Sequence, residues 1–107
     1  MSEVLSDDPV LQRIRASLRA IYGGRIERLL LFGSRARGDA HADSDYDVAV
    51  FLVDLTDRWR EFHRLADVRT DILADTGAFL EARPFRAGSY RDRTPLMYQI
   101  RRDGIDL

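Results

Sequence analysis

Two aspartates separated by one residue are the side chains with the clearest chemical potential in this sequence. Asp45 and Asp47 stand at the start of the apolar segment 48–53, and a β-strand projects residues two apart onto the same face. Adjacent carboxylates repel each other unless a cation lies between them. Oxygen ligands without cysteine or histidine beside them suit Mg²⁺. The pair therefore predicts a magnesium site; the alternative is two solvated acids at a strand end.

A glycine–serine pair offers a second chemical feature. Gly33 and Ser34 directly follow the apolar segment 29–32. If Arg35 opens a short helix, this turn presents unpaired backbone N–H groups and a positive dipole end, which suit phosphate oxygens. Glycine allows a close approach of the backbone, and Ser34 adds a hydroxyl donor. The alternative is an ordinary turn.

Composition narrows the classes of protein that can carry these features. The 107 residues suit one domain, 1–107, with 45% hydrophobic and 33% charged residues. The net charge of -1 and the scattered arginines give no signal for nucleic acid. The absence of cysteine excludes disulfides, thiolate nucleophiles and cysteine-based zinc sites. The polar, acidic residues 1–9 do not resemble a signal peptide, and no segment approaches the ~18 apolar residues of a membrane span, which predicts a cytoplasmic protein without membrane contact.

Periodicity places the two features on predicted elements. Asp7 or Asp8 caps a first helix with proline at its first position, and glycines end this helix and two later ones. Pro84 marks the third strand as edge-like, because proline cannot donate to a ladder. The pattern predicts an α+β (α/β-like) domain with a small mixed sheet flanked by helices. The predicted helices are 9–22, 59–76 and 95–103, and the predicted strands are 25–32, 45–53 and 78–85.

The two features together resemble a known signature. Residues 33–38 (Gly-Ser-Arg-Ala-Arg-Gly), a short acidic loop and residues 44–47 (Ser-Asp-Tyr-Asp) are similar to the signature of the DNA polymerase β-type nucleotidyltransferase superfamily. The segment closely resembles the minimal nucleotidyltransferase (MNT) family, and the signature covers residues 29–52. It implies a nucleotidyltransferase fold, Mg²⁺ on Asp45 and Asp47, and ATP phosphates on Gly33 and Ser34.

Two arginines of the motif receive different interpretations. Arg37 matches the arginine of the signature and could pair with phosphate through its planar fork. The alternative is a salt bridge across the loop to Asp39 or Asp43. Arg35 fills a variable position and is expected to be solvated.

Members of the superfamily that are catalytic also carry a third carboxylate, on the strand after the long helix. Glu81 and Arg83 share one face of that strand by alternation, and either could occupy the position. Glu81 would complete a catalytic, metal-binding set with Asp45 and Asp47. Arg83 would oppose the metals and leave a module that binds nucleotide without efficient turnover.

The resemblance also implies a biological role. Short MNT chains resemble antitoxins that modify HEPN-domain toxins, so we expect transfer of AMP from ATP to a hydroxyl of a HEPN-type partner. The alternative is a module that neutralises the HEPN partner by binding alone. A third, more distant hypothesis is transfer to an aminoglycoside-like small molecule.

The remaining aromatic residues are expected to serve packing. Trp59 and Phe62 lie at helical spacing and are interpreted as core residues, although exposure would mark them as an interface. Tyr90 and Tyr98 are expected to be buried against helices.

Overall fold

The first helix begins and ends where the sequence predicts. The computed structural model describes residues 7–107. Helix α1 spans Pro9–Tyr22, and the carboxylate of Asp8 caps it by accepting hydrogen bonds from the N–H groups of Val10 (2.9 Å) and Leu11 (3.1 Å). This cap satisfies two of the N–H groups that a helix leaves unpaired at its start.

A mixed sheet of four strands, β1 to β4, forms the centre of the described residues, in the order β3-β2-β1-β4. Strand β2 is antiparallel to β1 and parallel to β3, and β4 is antiparallel to β1. The sheet confirms the predicted α+β class and the edge position of the strand that contains Pro84. The strands are β1 Ile26–Phe32, β2 Tyr46–Leu52, β3 Leu80–Arg86 and β4 Ile105–Asp106.

The prediction of three strands was wrong by one. Strand β4 contains only Ile105 and Asp106, immediately after Gly104. Two residues cannot show alternation, so the sequence pattern carries no strand signal at this position. Pairing to Leu30 and Leu31 of β1 creates the strand.

Three further helices connect the strands. Helix α2 spans Ser34–Arg37, α3 spans Arg58–Thr76 and α4 spans Pro95–Asp103, with 3₁₀ turns at Gly23–Arg25 and Ser89–Arg91. Asp57 and Thr94 cap α3 and α4 through their side chains. Among residues 7–107, no helix is long and apolar enough to cross a membrane.

Both faces of the sheet are covered, which explains why β1 and β2 are apolar along most of their length. Helices α1 and α3 pack on one face, where Leu18 of α1 and Ile72 of α3 share a buried cluster with Val50 of β2. Helix α4 packs on the other face, where Met97 and Ile100 contact a cluster that includes Phe51.

The expectation that Trp59 and Phe62 are core residues was wrong, since their side chains are 76% and 47% exposed. Helix α3 instead buries Leu65, Val68 and Ile72, and the same stripe includes Glu61. Phe62 lies beside this stripe, because one residue along a helix is a rotation of about 100°.

The two tyrosines differ in burial. Tyr98 was also expected to be buried and is 58% exposed. Tyr90 is half-buried and packs edge-on against Phe51, with ring centroids 5.9 Å apart.

Candidate active site

The glycine–serine turn and the aspartate pair are neighbours because β1 and β2 pair at these ends. Phe32, the last residue of β1, lies opposite Asp47 of β2. Gly33 follows with φ of 76°, in the region that favours glycine. A methyl group built on Gly33 would overlap the Oδ2 atom of Asp47. The space beside Gly33, where a phosphate is expected, is therefore bordered by the carboxylate of Asp47.

The turn after Gly33 is one turn of helix. The carbonyl of Gly33 accepts hydrogen bonds from the N–H groups of Ala36 and Arg37, both at 3.1 Å, and α2 begins at Ser34. Gly38 ends it in the left-handed conformation. The first N–H groups of such a turn have no partner inside it. This geometry agrees with the short helix that the sequence indicated, one residue earlier than Arg35.

The two aspartates differ in exposure. Asp45 is exposed and Asp47 is half-buried. Burial raises the pKa of Asp47, and the charge of Asp45 raises it further. The positive charge of Arg83 lowers the pKa of Asp47, Glu81 raises it, and Arg37 lowers it. A cation at this carboxylate would relieve both the desolvation and the repulsion.

The parallel pairing of β2 and β3 places the two candidates for the third position. Glu81 is the register partner of Asp47, and Arg83 is the register partner of Ala49. Register partners in neighbouring strands point to the same face of a sheet. Glu81 thus stands beside Asp47, and Arg83 lies one alternation further along the same face. Arg83 nevertheless affects the pKa of Asp47 more than Glu81 does.

The chemistry of these donors fits Mg²⁺ held jointly with a ligand. Asp45, Asp47 and Glu81 offer carboxylate oxygens alone, and their side chains make no hydrogen bond or ion pair with other residues in 7–107. In that part of the chain, no three His, Cys, Asp or Glu side chains are grouped so that they could hold a metal by themselves. Mg²⁺ is commonly bound by one or two carboxylates together with substrate phosphates. The arrangement therefore suits a metal that is bound together with phosphate groups of a ligand.

Arg37 is paired within the chain. Its guanidinium contacts Asp39 at 3.2 Å and Asp103 of α4 at 3.5 Å. The pair with Asp39 is one of the two alternatives that the sequence offered, and Asp103 is a partner that the sequence did not indicate. A phosphate contact would require Arg37 to share or leave these carboxylates.

The expectation that Arg35 is solvated was wrong. Its guanidinium lies 4.0 Å from the ring centre of Tyr46, and its Nε atom donates to the carbonyl of Ser44 at 3.0 Å. The hydroxyl of Tyr46 donates to Asp8 Oδ2 at 2.6 Å. Burial, followed by Asp8, raises the pKa of Tyr46 to about 12. The position of a tyrosine between the two acids was the one signal in the sequence for these contacts.

A cleft of about 390 Å³ opens beside the acids, between α3 and the start of β3. Its wall combines the carboxylates of Asp45 and Glu81 with exposed apolar side chains, Leu73 and Phe79. Two of the three acids, Asp45 and Glu81, thus border this cleft, whereas Asp47 does not line it. The residues that line the cleft are Asp45, Arg69, Thr70, Leu73, Phe79, Leu80 and Glu81.

The site thus combines a four-stranded mixed sheet with a glycine–serine turn beside paired aspartates. The family model for polymerase β nucleotidyltransferases matches residues 18–107. The chain therefore belongs to the polymerase β nucleotidyltransferase family.

One sequence relative and two solved structures are similar to this chain. It is 30% identical over 78 residues to a protein of Methanocaldococcus jannaschii named, provisionally, a protein adenylyltransferase, with 73% of this chain and 72% of the relative covered. A chain in the crystal structure of a toxin–antitoxin with AMP-PNP has the same fold, with a TM-score of 0.63 and 22% identity. This match covers 89% of the present chain and 69% of the other. A chain in the structure of a variant MntA–HpeT toxin–antitoxin matches with a TM-score of 0.64, 22% identity, and coverage of 90% and 69%.

Proposed function

We propose that this chain is a Mg²⁺-dependent nucleotidyltransferase that transfers AMP from ATP to a hydroxyl of a HEPN-type toxin partner, and so acts as the antitoxin of the pair. The observation that carries the proposal is the register of β2 and β3, which places Glu81 beside Asp47. Together with Asp45 this gives three carboxylates at one end of the sheet, next to the glycine–serine turn.

Each site residue has a defined role in this proposal. Asp45 and Asp47, with Glu81, would hold Mg²⁺, which when bound neutralises phosphate charge during nucleotidyl transfer. The turn at Gly33 and Ser34 would bind the phosphates of ATP through backbone N–H groups and the serine hydroxyl. Arg37 would add a cation at the edge of this phosphate site.

The proposed reaction is an in-line displacement. The acceptor hydroxyl oxygen attacks the α-phosphorus, and a new oxygen–phosphorus bond forms as the bond to the bridging oxygen of the β-phosphate breaks. Pyrophosphate leaves with that oxygen. Glu81, besides helping to hold Mg²⁺, would accept the proton of the hydroxyl as general base.

A protein acceptor agrees best with the surroundings of the acids. The cleft at Asp45 is flanked by the exposed side chains of Leu73 and Phe79, which suit a protein surface better than a highly polar sugar. The relative from Methanocaldococcus jannaschii is named for adenylyl transfer to protein, and two structural matches are toxin–antitoxin assemblies. We take these names as support for a toxin acceptor.

One observation favours a second candidate function, a nucleotide-binding module that neutralises its partner by contact. Arg83 lies two residues along β3 from Glu81, on the face of the sheet that Asp47 and Glu81 share. A cation beside the acids would compete with a metal there. If Arg83 takes the place of a metal beside the acids, ATP would still bind, but nucleotidyl transfer would be inefficient.

The two candidates differ in what happens to ATP. We would incubate the full chain, its co-purified HEPN-type partner and Mg²⁺ with ATP radiolabelled either at the α- or at the γ-phosphate. Adenylyl transfer predicts label on the partner from α-labelled ATP only. Label from γ-labelled ATP would indicate phosphoryl transfer instead, and a bound but unlabelled partner would favour the binding module.

A further inference from the structure

Tyr46 stands between the two aspartates and points away from them. Successive residues of a strand face opposite sides of the sheet, so Tyr46 faces α1 while Asp45 and Asp47 face the other side. Its side chain is only 4% exposed. Its hydroxyl donates to Asp8 Oδ2 at 2.6 Å, while Asp8 Oδ1 caps α1. The start of β2 is therefore tied to the first turn of α1.

Arg35 contacts both Tyr46 and the loop that leads into β2. Its guanidinium stacks on the ring of Tyr46 at 4.0 Å, and its Nε atom donates to the carbonyl of Ser44, the residue before Asp45. Its Nη2 atom donates to the carbonyls of His41 at 3.4 Å and Ala42 at 3.3 Å. One planar group thus contacts the loop on the way into β2 and the ring between the acids.

The contacts of Arg35 differ in kind from those of Arg28, which is also stacked on a tyrosine. Arg28 lies 4.1 Å from the ring centre of Tyr90 and also pairs with the carboxylate of Asp106 at 3.2 Å. Arg35 has no carboxylate within salt-bridge distance among residues 7–107, and the acceptors of its hydrogen bonds are backbone carbonyls. Its fork geometry, and not an ion pair, holds the loop in place.

We propose that Asp8, Arg35 and Tyr46 are positioning residues that hold the start of β2 from behind, so that the carboxylates of Asp45 and Asp47 are kept in the arrangement that binds a divalent cation. They would set metal affinity without touching metal or nucleotide. This inference rests on the proposed function, since it assigns the pair of acids to a metal.

The test uses Mn²⁺ as the probe, because Mn²⁺ accepts the same oxygen ligands as Mg²⁺ and its free form is counted by electron paramagnetic resonance. Mn²⁺ is titrated into the full chain in the presence of ATP. Loss of a residue that orients a metal ligand lowers metal affinity by about 10- to 100-fold. We expect Arg35→Lys, which keeps the charge and loses the fork, to weaken Mn²⁺ binding by about tenfold.

Two further variants separate the ring from the hydroxyl. Tyr46→Phe keeps the stacked ring and loses the hydrogen bond to Asp8, so its effect should be smaller than that of Arg35→Lys. The double variant should lose less affinity than the product of the two single losses, because both residues act on one strand segment.

Matched controls exist at the other stacked pair. Arg28→Lys and Tyr90→Phe make the same chemical changes away from the acids and should leave Mn²⁺ affinity unchanged. All titrations are run at a temperature far below the thermal unfolding midpoint of every variant. Equal affinity in wild type and Arg35→Lys, or equal losses in Arg28→Lys, would overturn the inference alone. Absence of Mn²⁺ and ATP binding by the wild type would overturn the proposed function together with it.

Discussion

Asp47 and Glu81 are register partners in the parallel strands β2 and β3, and their side chains share one face of the sheet. Their proximity is one reason that the pKa of Asp47 is raised. It also brings an acid from the strand after α3 to the pair that begins β2.

This relationship predicts how Glu81 contributes to transfer. Glu81→Gln should lower nucleotidyl transfer to the partner by about 100-fold or more, a loss typical of a removed general base, with a much smaller loss of ATP affinity. Arg83→Ala should be mild by comparison. Measured kcat and ATP affinity for both variants test this. If the wild type transfers nothing and Arg83→Glu creates activity, the arginine occupies the third position and the chain is a binding module.

The contact between Gly33 and Asp47 predicts a specific cost for a side chain in the turn. Gly33→Ala would meet both backbone strain and the carboxylate, whereas Gly38→Ala, with φ of 84° and open space around it, would meet strain alone. Strain of this kind costs about 1–3 kcal/mol. Urea unfolding should show Gly33→Ala as the less stable variant, and it alone should lose ATP binding. Equal stability of the two variants would contradict this contact.

Ser34 should matter less than its neighbour. Ser34→Ala removes one hydroxyl donor and should weaken ATP binding by about 1 kcal/mol, on the order of one hydrogen bond. Calorimetric titration of both turn variants gives the comparison. A loss in Ser34→Ala as large as that in Gly33→Ala, with both proteins folded, would refute cradling by the backbone.

The raised pKa of Asp47 predicts how the stability of the metal-free protein depends on pH. An acid with a raised pKa in the folded state binds its proton more tightly there than in the unfolded chain. Its contribution to the free energy of unfolding is therefore largest at low pH and declines as pH rises from the unfolded pKa through the folded one. In the absence of metal, Asp47→Asn should remove this decline and gain stability relative to wild type between acidic and neutral pH. Parallel pH profiles of the two melting temperatures would contradict the prediction.

The exposure of α3 predicts unequal tolerance along one helix. Phe62→Ser should change the free energy of unfolding by less than about 1 kcal/mol, because the side chain is 47% exposed. Leu65→Ala should cost about 2–5 kcal/mol, since Leu65 is buried in the core. Urea unfolding of the two variants checks the rotation of α3, and similar losses would place Phe62 in the core after all.

Much of the fold follows from local signals in the sequence. The cap and proline that open α1 are encoded within a few residues, as is the glycine that ends α3 at Gly77. The rotation of α3 was not accessible in this way. Apolar residues at 59, 62, 65, 68 and 72 permit two adjacent stripes. The structure buries the stripe that includes Glu61, which pairs with Arg25 at 3.0 Å.

The candidate site likewise combines residues found from a local motif with contacts that only the fold creates. The positions of Gly33, Ser34, Asp45 and Asp47 follow from a motif within 15 residues of one another. The contact between Tyr46 and Asp8 joins residues 38 apart, so only the packing of α1 on β2 reveals it. The register that sets Glu81 opposite Asp47 joins two strands that meet only in the folded chain.

Calorimetric titration of ATP in Mg²⁺ into wild type, Asp45→Asn and Asp47→Asn tests the central assignment most directly. Each substitution keeps the shape of the side chain and removes one charged metal ligand. We predict binding by the wild type that depends on Mg²⁺, and a loss of affinity of at least about tenfold in each folded variant. Undiminished binding of ATP and Mg²⁺ by the two variants would contradict the assignment of these aspartates as metal ligands.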